Sequence, residues 1–243
     1  MKFTTAKEHR DFFLKNGWIE FEGLLSLKQT SEVNQAIDAV LAKRLPITKR
    51  KIQESCEMMF AEGFDLWRAD SLLQKIATQM RFCELAASLI EKKILRLAYD
   101  QLLPFYQENQ ILEKKQTNGN YFNFTSHTRS LEEISCVNRL ACALMLSLND
   151  LDLNLTTQDE PVAGIDVFPR KAGNVIFFRP NIPIHWNYLH ERQGERFLLI
   201  VYAEQTAYYQ LQEQDPHTHA FKRLGYVFND KLSDKLHPIV FRN

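Results

Sequence analysis

The sequence predicts an α+β fold in which several N-terminal helices pack outside a double-stranded β-helix (jelly-roll) core. Residues 1–93 are dominated by apolar residues recurring at helical spacing, and residues 94–206 hold a succession of short apolar, β-branched and aromatic runs of strand length. Helices first and strands afterwards indicate a helical layer against a pair of sheets, not an alternating β-α-β chain. The length argues for one domain over residues 1–243, with 207–243 as a C-terminal extension. A chain of 243 residues that is 45% hydrophobic and 12% aromatic can bury one large core.

Each element follows from a local signal. Thr5 is placed to cap a helix to about Lys15, with Phe12, Phe13 and Leu14 apolar and Gly17 stopping it. Trp18-Ile19-Glu20-Phe21 alternates as a short strand. Gly23 turns the chain, and Ser26 caps a long helix to about Arg44 whose Val33, Ala36, Ile37, Val40 and Leu41 form one stripe. Pro46 closes this region. From Ala69 to about Lys92 the residues Leu72, Leu73, Ile76, Met80, Leu85, Leu89 and Ile90 predict a further helix. Strands are then expected at Ile94–Phe105, Tyr121–Thr125, Cys136–Leu148, Val162–Phe168, Val175–Phe178 and Phe197–Tyr202.

Composition excludes several function classes. Thirty basic residues balance thirty acidic ones, so no net field draws the chain to nucleic acid or an anionic membrane. The basic residues Lys43, Arg44, Lys49, Arg50 and Lys51 are followed by Glu54 and Glu57 and read as a solvated face. The longest uninterrupted apolar run, Leu140 to Leu146, is too short to span a bilayer. The opening residues lack the apolar core of a signal peptide. Cys56, Cys83, Cys136 and Cys142 have no paired spacing and read as reduced, buried thiols, so a cytoplasmic location is expected.

The candidate site lies between Phe168 and Glu204. Ala172-Gly173 punctuates, Asn174 to Phe178 makes a strand, and Pro180 and Pro183 end it because proline cannot donate to a ladder. His185 follows at the strand edge, and eleven residues on Arg196 opens the next strand. The two are expected on neighbouring strands of one sheet, where they could hold a metal and an anion side by side. A planar guanidinium grips a carboxylate with two parallel hydrogen bonds, which lysine cannot do.

Gly173-Asn174-Val175-Ile176-Phe177, His185 and Arg196 together resemble the Gly-Asp strand, metal-binding histidine and later arginine of the iron(II)/2-oxoglutarate dioxygenases, phytanoyl-CoA dioxygenase branch, with Asn174 in place of the usual aspartate. The stretch from Phe12 to Ser26, a helix end, a Gly17-Trp18 strand start and Gly23-Leu24-Leu25-Ser26, is similar to the opening of that family. The resemblance implies a cupin-like jelly roll, Fe(II) and 2-oxoglutarate as cofactors, His185 as a metal ligand and Arg196 on the distal carboxylate of 2-oxoglutarate. It also implies a His-x-Asp pair upstream of a strand like Cys142 to Asp150. The matching histidine is His127, a second metal ligand, but two residues on stands Arg129.

Two ligands at i and i+2 leave the same face of an extended segment, so Arg129 sits where a carboxylate would complete the iron site. A unit charge about 4 Å from another is worth about 4 kcal/mol at a surface-like dielectric, so metal affinity is expected to fall by about three decades. Glu132 and Glu133 could substitute only if the chain folded back sharply. The family's Pro-Gly-Ser-His loop is replaced by Val167-Phe168-Pro169-Arg170. The expected function is therefore an oxygenase-like protein with an incomplete metal triad, not a standard dioxygenase. The alternative is a non-catalytic metal- or dicarboxylate-sensing binding protein. Either reading expects a small-molecule ligand. A register slip of one residue would turn His127 away and bring in Thr128.

Other constellations rank lower. His217-Thr218-His219 has the spacing of a strand-borne metal pair, with His237 downstream, but Asp215-Pro216 in front marks an exposed polar loop. Asn149, Asp150, Asp152 and Asn154 match a calcium loop in composition and lack its spacing. There is no phosphate-cradling glycine loop, nucleophile elbow or zinc-type cysteine pair. Tyr202, Tyr208 and Tyr209 read as packing.

Overall fold

The structure, a computed structural model, describes residues 5–45, 56–104, 120–150, 167–191 and 195–243. In chain order these form α1 (Lys7–Asn16), β1 (Trp18–Phe21), α2 (Leu27–Arg44), α3 (Cys56–Glu62), a 3-10 turn (Leu66–Arg68), α4 (Ser71–Ala77), α5 (Met80–Leu89) and β2 (Ile94–Leu103). There follow α6 (Asn120–Thr125), β3 (Thr128–Arg129), β4 (Leu140–Ser147), β5 (Val175–Phe178) and β6 (Ile184–His185). The chain ends with α7 (Tyr188–Glu191), β7 (Phe197–Ala203), a second 3-10 turn (Ala220–Leu224) and β8 (Ile239–Arg242). It is a mixed fold of helices and antiparallel sheet, as the sequence pattern requires.

Six strands form one sheet in the order β1-β5-β4-β7-β2-β8, and β3 pairs with β6 in a separate two-stranded sheet. Side chains alternate across the large sheet with period two. Leu144, Leu146, Val175, Phe177, Leu198, Ile200 and Tyr202 face the helices and pack with Val33, Ile37 and Leu41 of α2. Ala143, Met145, Ile176, Phe178, Phe197, Leu199 and Val201 face the other way and pack with Ile184 of the small sheet, Trp186, Phe60 of α3 and Tyr121 and Phe124 of α6. Two apolar cores therefore sandwich the sheet, and the second lies between the two sheets.

The helix signals translate directly at α2. The Ser26 side chain accepts from Gln29 N while the Gln29 side chain accepts from Ser26 N, a capping box that satisfies two end groups at once. Gly17 ends α1 in a left-handed conformation (φ 81°), as the sequence indicates. Thr5, in contrast, does not cap α1. Ala6 holds that position without a side-chain bond, and the Thr5 hydroxyl meets Ser88.

Several expectations are corrected. The single helix expected over residues 69–92 is two helices: Asp70 caps the start of α4, and the break comes at Thr78, which closes α4 and donates its hydroxyl to Gln74 O (2.7 Å). The strand expected at Tyr121–Thr125 is α6. Its Tyr121 and Phe124 rings meet Phe60, and the Tyr121 hydroxyl donates to Pro104 O (2.5 Å), so tertiary packing overrides β propensity. The strand expected from Cys136 begins only at Leu140, because Arg139 turns the backbone through φ 58°. Residues 162–166 lie outside the described residues, and Val167 and Phe168 are buried without joining a strand. Pro46, the basic run at 49–51, Asp152 and Asn154 also lie outside them. Strand β8, which pairs with the start of β2, was not foreseen. Among the described residues no helix is long and apolar enough to cross a membrane.

Candidate functional site

The glycine-asparagine step that carries the sequence resemblance has a structural task. Gly173 sits at φ 83° with a Cβ position that would collide with the Leu25 carbonyl, and Leu25 N donates to Gly173 O (3.1 Å). Asn174, 6% exposed, accepts from Gly23 N (3.0 Å) and donates to Glu20 Oε1 (2.8 Å). An amide supplies both an acceptor and a donor, which a carboxylate cannot do beside Glu20. Asn174 thus ties the turn before α2 to the start of β5.

The predicted metal and anion residues are brought together only in part. His185 lies in β6 of the small sheet and Arg196 at the entry to β7 of the large one, so they are not on neighbouring strands of one sheet. In the β3–β6 ladder Thr128 stands opposite His185, and Arg129 stands opposite Ile184. Directly paired residues share a face, so Thr128 accompanies His185, and Arg129 accompanies the fully buried Ile184. Trp186 Nε1 locks this register by donating to Arg129 O (3.0 Å). His127 is exposed at the bend before β3, its Nδ1 3.3 Å from Asn123 O.

Arg196 is committed elsewhere. Its Nη1 donates to Asp38 Oδ1 (2.9 Å) and Asn34 Oδ1 (3.1 Å), both on α2, and its backbone N–H donates to Asn149 Oδ1 (2.7 Å). Asn34 in turn donates to Leu148 O (2.6 Å). The guanidinium therefore joins the helical layer to the ends of β4 and β7. Burial lowers its pKa and Asp38 opposes that shift, which keeps it a cation held by helix α2. Phe197, the next residue, occupies the face toward the small sheet. Among the described residues, no three His, Cys, Asp or Glu side chains gather as a metal site.

Among the described residues, those that the motif singles out do not come together as an iron and 2-oxoglutarate site. A cation follows His127 where a carboxylate is needed, His127 and His185 are not cross-strand partners, and the carboxylate-gripping arginine points into the helical layer.

A different polar cluster lies against β2 and β7 of the large sheet, covered by α3 and α6, where the sequence predicts an exposed loop. A cavity of about 20 Å³ is lined by Phe60, Phe64, Tyr99, Gln101, Phe124, Leu131, Ile134, Leu199, Asp215 and His217. His217 stacks on Phe64 with ring centroids 4.4 Å apart. Asp215 anchors the segment, accepting from Cys136 N (2.6 Å) and His217 N (2.7 Å). Burial raises the Asp215 pKa to about 6, against the backbone hydrogen bonds that lower it. Burial, aided by Arg223, lowers that of His217 to about 4. His219, by contrast, is exposed, and the ring nitrogens of His237 lie 2.9 Å from Arg68 Nη2 and 3.0 Å from the Tyr226 hydroxyl, so the three histidines do not converge. The signal available in the sequence was the Asp215–His219 stretch itself. What it lacked was the aromatic wall, contributed by α3, β2 and α6.

No protein-family model matches the chain, and no curated protein matches it. Solved structures do. The non-heme alpha ketoglutarate dependent carbocyclase SnoK from nogalamycin biosynthesis is 15% identical with a TM-score of 0.63, covering 97% of this chain and 96% of its own. The epimerase SnoN of the same biosynthesis is 13% identical with a TM-score of 0.64, covering 97% and 98%, and SnoN has also been seen with Fe3+, alpha ketoglutarate and nogalamycin RO. The protein CT296 from Chlamydia trachomatis is 16% identical with a TM-score of 0.46, covering 84% and 99%. The chain shares the fold of non-heme, alpha-ketoglutarate-dependent enzymes. At these identities the likeness is one of fold.

Proposed function

We propose that this chain is a small-molecule-binding protein on the scaffold of the iron/2-oxoglutarate oxygenases, acting without iron-dependent turnover. In this reading the two sheets are a double-stranded β-helix in one domain, the ligand enters between them, and the protein works in the reducing cytoplasm. The four cysteines are free and buried, which suits that compartment. The observation that carries the reading is Arg196. Its partners are Asp38 and Asn34 on α2, and the inward position beside it is filled by Phe197. Arg129 in the place of a carboxylate ligand points the same way.

The test is succinate release from 2-oxoglutarate with added iron(II), in the wild type and in Arg129→Asp. No release above the metal-free blank is expected from either. Turnover by the wild type would sink the reading.

One observation favours a second reading, dicarboxylate sensing on the helical side. Arg196 Nε and Nη2 are buried without a partner, and these are the two donors that grip a carboxylate side-on. That reading predicts binding of 2-oxoglutarate that needs no iron and is lost in Arg196→Ala.

A further inference from the structure

We propose that the cavity walled by β2, β7, α3 and α6 is a site for a small nitrogen cation of ammonium size, held by Gln101, His217 and Asp215 inside an aromatic cage. The inference deepens the binding-protein reading and rests on it, in that it names the class of ligand such a protein would hold.

Besides Tyr99, whose hydroxyl donates to Ser135 Oγ (3.2 Å), three polar side chains line the cavity, and each offers an acceptor. Gln101 is 3% exposed. Its Nε2 is spent on Phe60 O (2.9 Å) and Leu102 O (2.7 Å), which fixes the amide and leaves Oε1 buried without a partner. His217 Nε2 is likewise shut off from solvent with no partner. Asp215 is 8% exposed and takes hydrogen bonds from two backbone N–H groups and from the Cys136 thiol, yet among the described residues it has no ion pair to balance its charge. Buried acceptors and an uncompensated buried carboxylate each cost free energy that a positively charged multiple donor would recover. Water could supply two protons, whereas ammonium supplies four and also balances the carboxylate.

The remaining wall supports the same choice. Phe60, Phe64, Tyr99 and Phe124 present rings to the cavity, and aromatic faces attract cations within about 6 Å of the ring centre. A ring nitrogen can accept from the guest only when the imidazole is neutral, and stacking on Phe64 keeps the His217 ring in the apolar wall. Exposed Arg223 is the cation whose field reaches His217, and it opposes a proton there. Size sets the limit. A volume of about 20 Å³ is close to one water molecule, which admits ammonium and refuses a tetraalkyl ammonium ion.

The experiment is a thermal-shift and calorimetric titration of the full chain with ammonium chloride, sodium chloride and tetramethylammonium chloride at constant ionic strength. Saturable stabilisation by ammonium alone is expected. His217→Phe and Asp215→Asn, each checked for native circular dichroism, should weaken it at least about tenfold, the loss typical of one charge-assisted hydrogen bond. Because Asp215 anchors the loop, His217→Phe keeps the test valid if Asp215→Asn fails to fold. Equal effects of the three salts would overturn the proposal, as would an ammonium effect undiminished in His217→Phe. Succinate release in the separate turnover assay would remove the binding-protein reading while leaving the ammonium result to stand or fall alone.

Discussion

Asn174 stands where the resembling family has aspartate, and its surroundings explain the choice. It must donate to Glu20 and accept from Gly23 N, so Asn174→Asp would set two carboxylates about a hydrogen bond apart. A loss of about 1–3 kcal/mol is expected in urea unfolding at pH 7. Asp100 poses the opposite case. It is fully buried on β2, accepts from Trp67 N (3.0 Å) and has Oδ1 without a partner. Burial first, and then the charge of Asp65, raise its pKa to about 8. An acid whose pKa is raised on folding stabilises the protein below its unfolded value near 3.8, and that contribution is lost as pH rises toward 8. Asp100→Asn removes this loss, so its stability relative to wild type should climb between pH 5 and pH 8. A difference that stays flat across that range would show that Asp100 does not titrate there.

Among the elements, α2 and the turn at Gly173 hold the helical layer to the sheet. Ser26→Ala removes one half of the capping box and is expected to cost about 1 kcal/mol in chemical denaturation. Gly173→Ala meets both a positive φ and the Leu25 carbonyl, so a larger loss, about 2 kcal/mol or more, is expected from the same measurement. These elements were legible in the sequence because their signals are local: a capping serine, a helical stripe, a glycine before a β-branched run. The breaks were less so. Thr78 and Gln79 interrupt a continuous apolar pattern, and α6 has the composition of a strand but is held helical by contacts with α3 and Pro104. Strand β8 pairs with residues more than a hundred positions away, and nothing in its own four residues announces that.

For the molecule as a whole, the strand pattern was enough to predict helices against antiparallel sheet, and solved structures of alpha-ketoglutarate-dependent enzymes share that fold. The site was legible only as residue types. Spacing put a histidine and an arginine in the right order along the chain, but spacing does not fix which face each takes. The register Thr128 opposite His185 and the turn of Arg196 toward α2 are decided by Trp186, Asp38 and Asn34, none of which belongs to the motif. On the face of the large sheet away from the helical layer of α2, the interior is filled by Phe197, Phe60 and Phe64, with His217 stacked on Phe64.

Calorimetric titration of 2-oxoglutarate into the anaerobic protein, with and without iron(II), tests this account most directly. No binding that depends on iron is expected. Heat that appears only with iron and vanishes in Arg196→Ala would contradict it, since it would require His185, a metal and Arg196 to meet on one face.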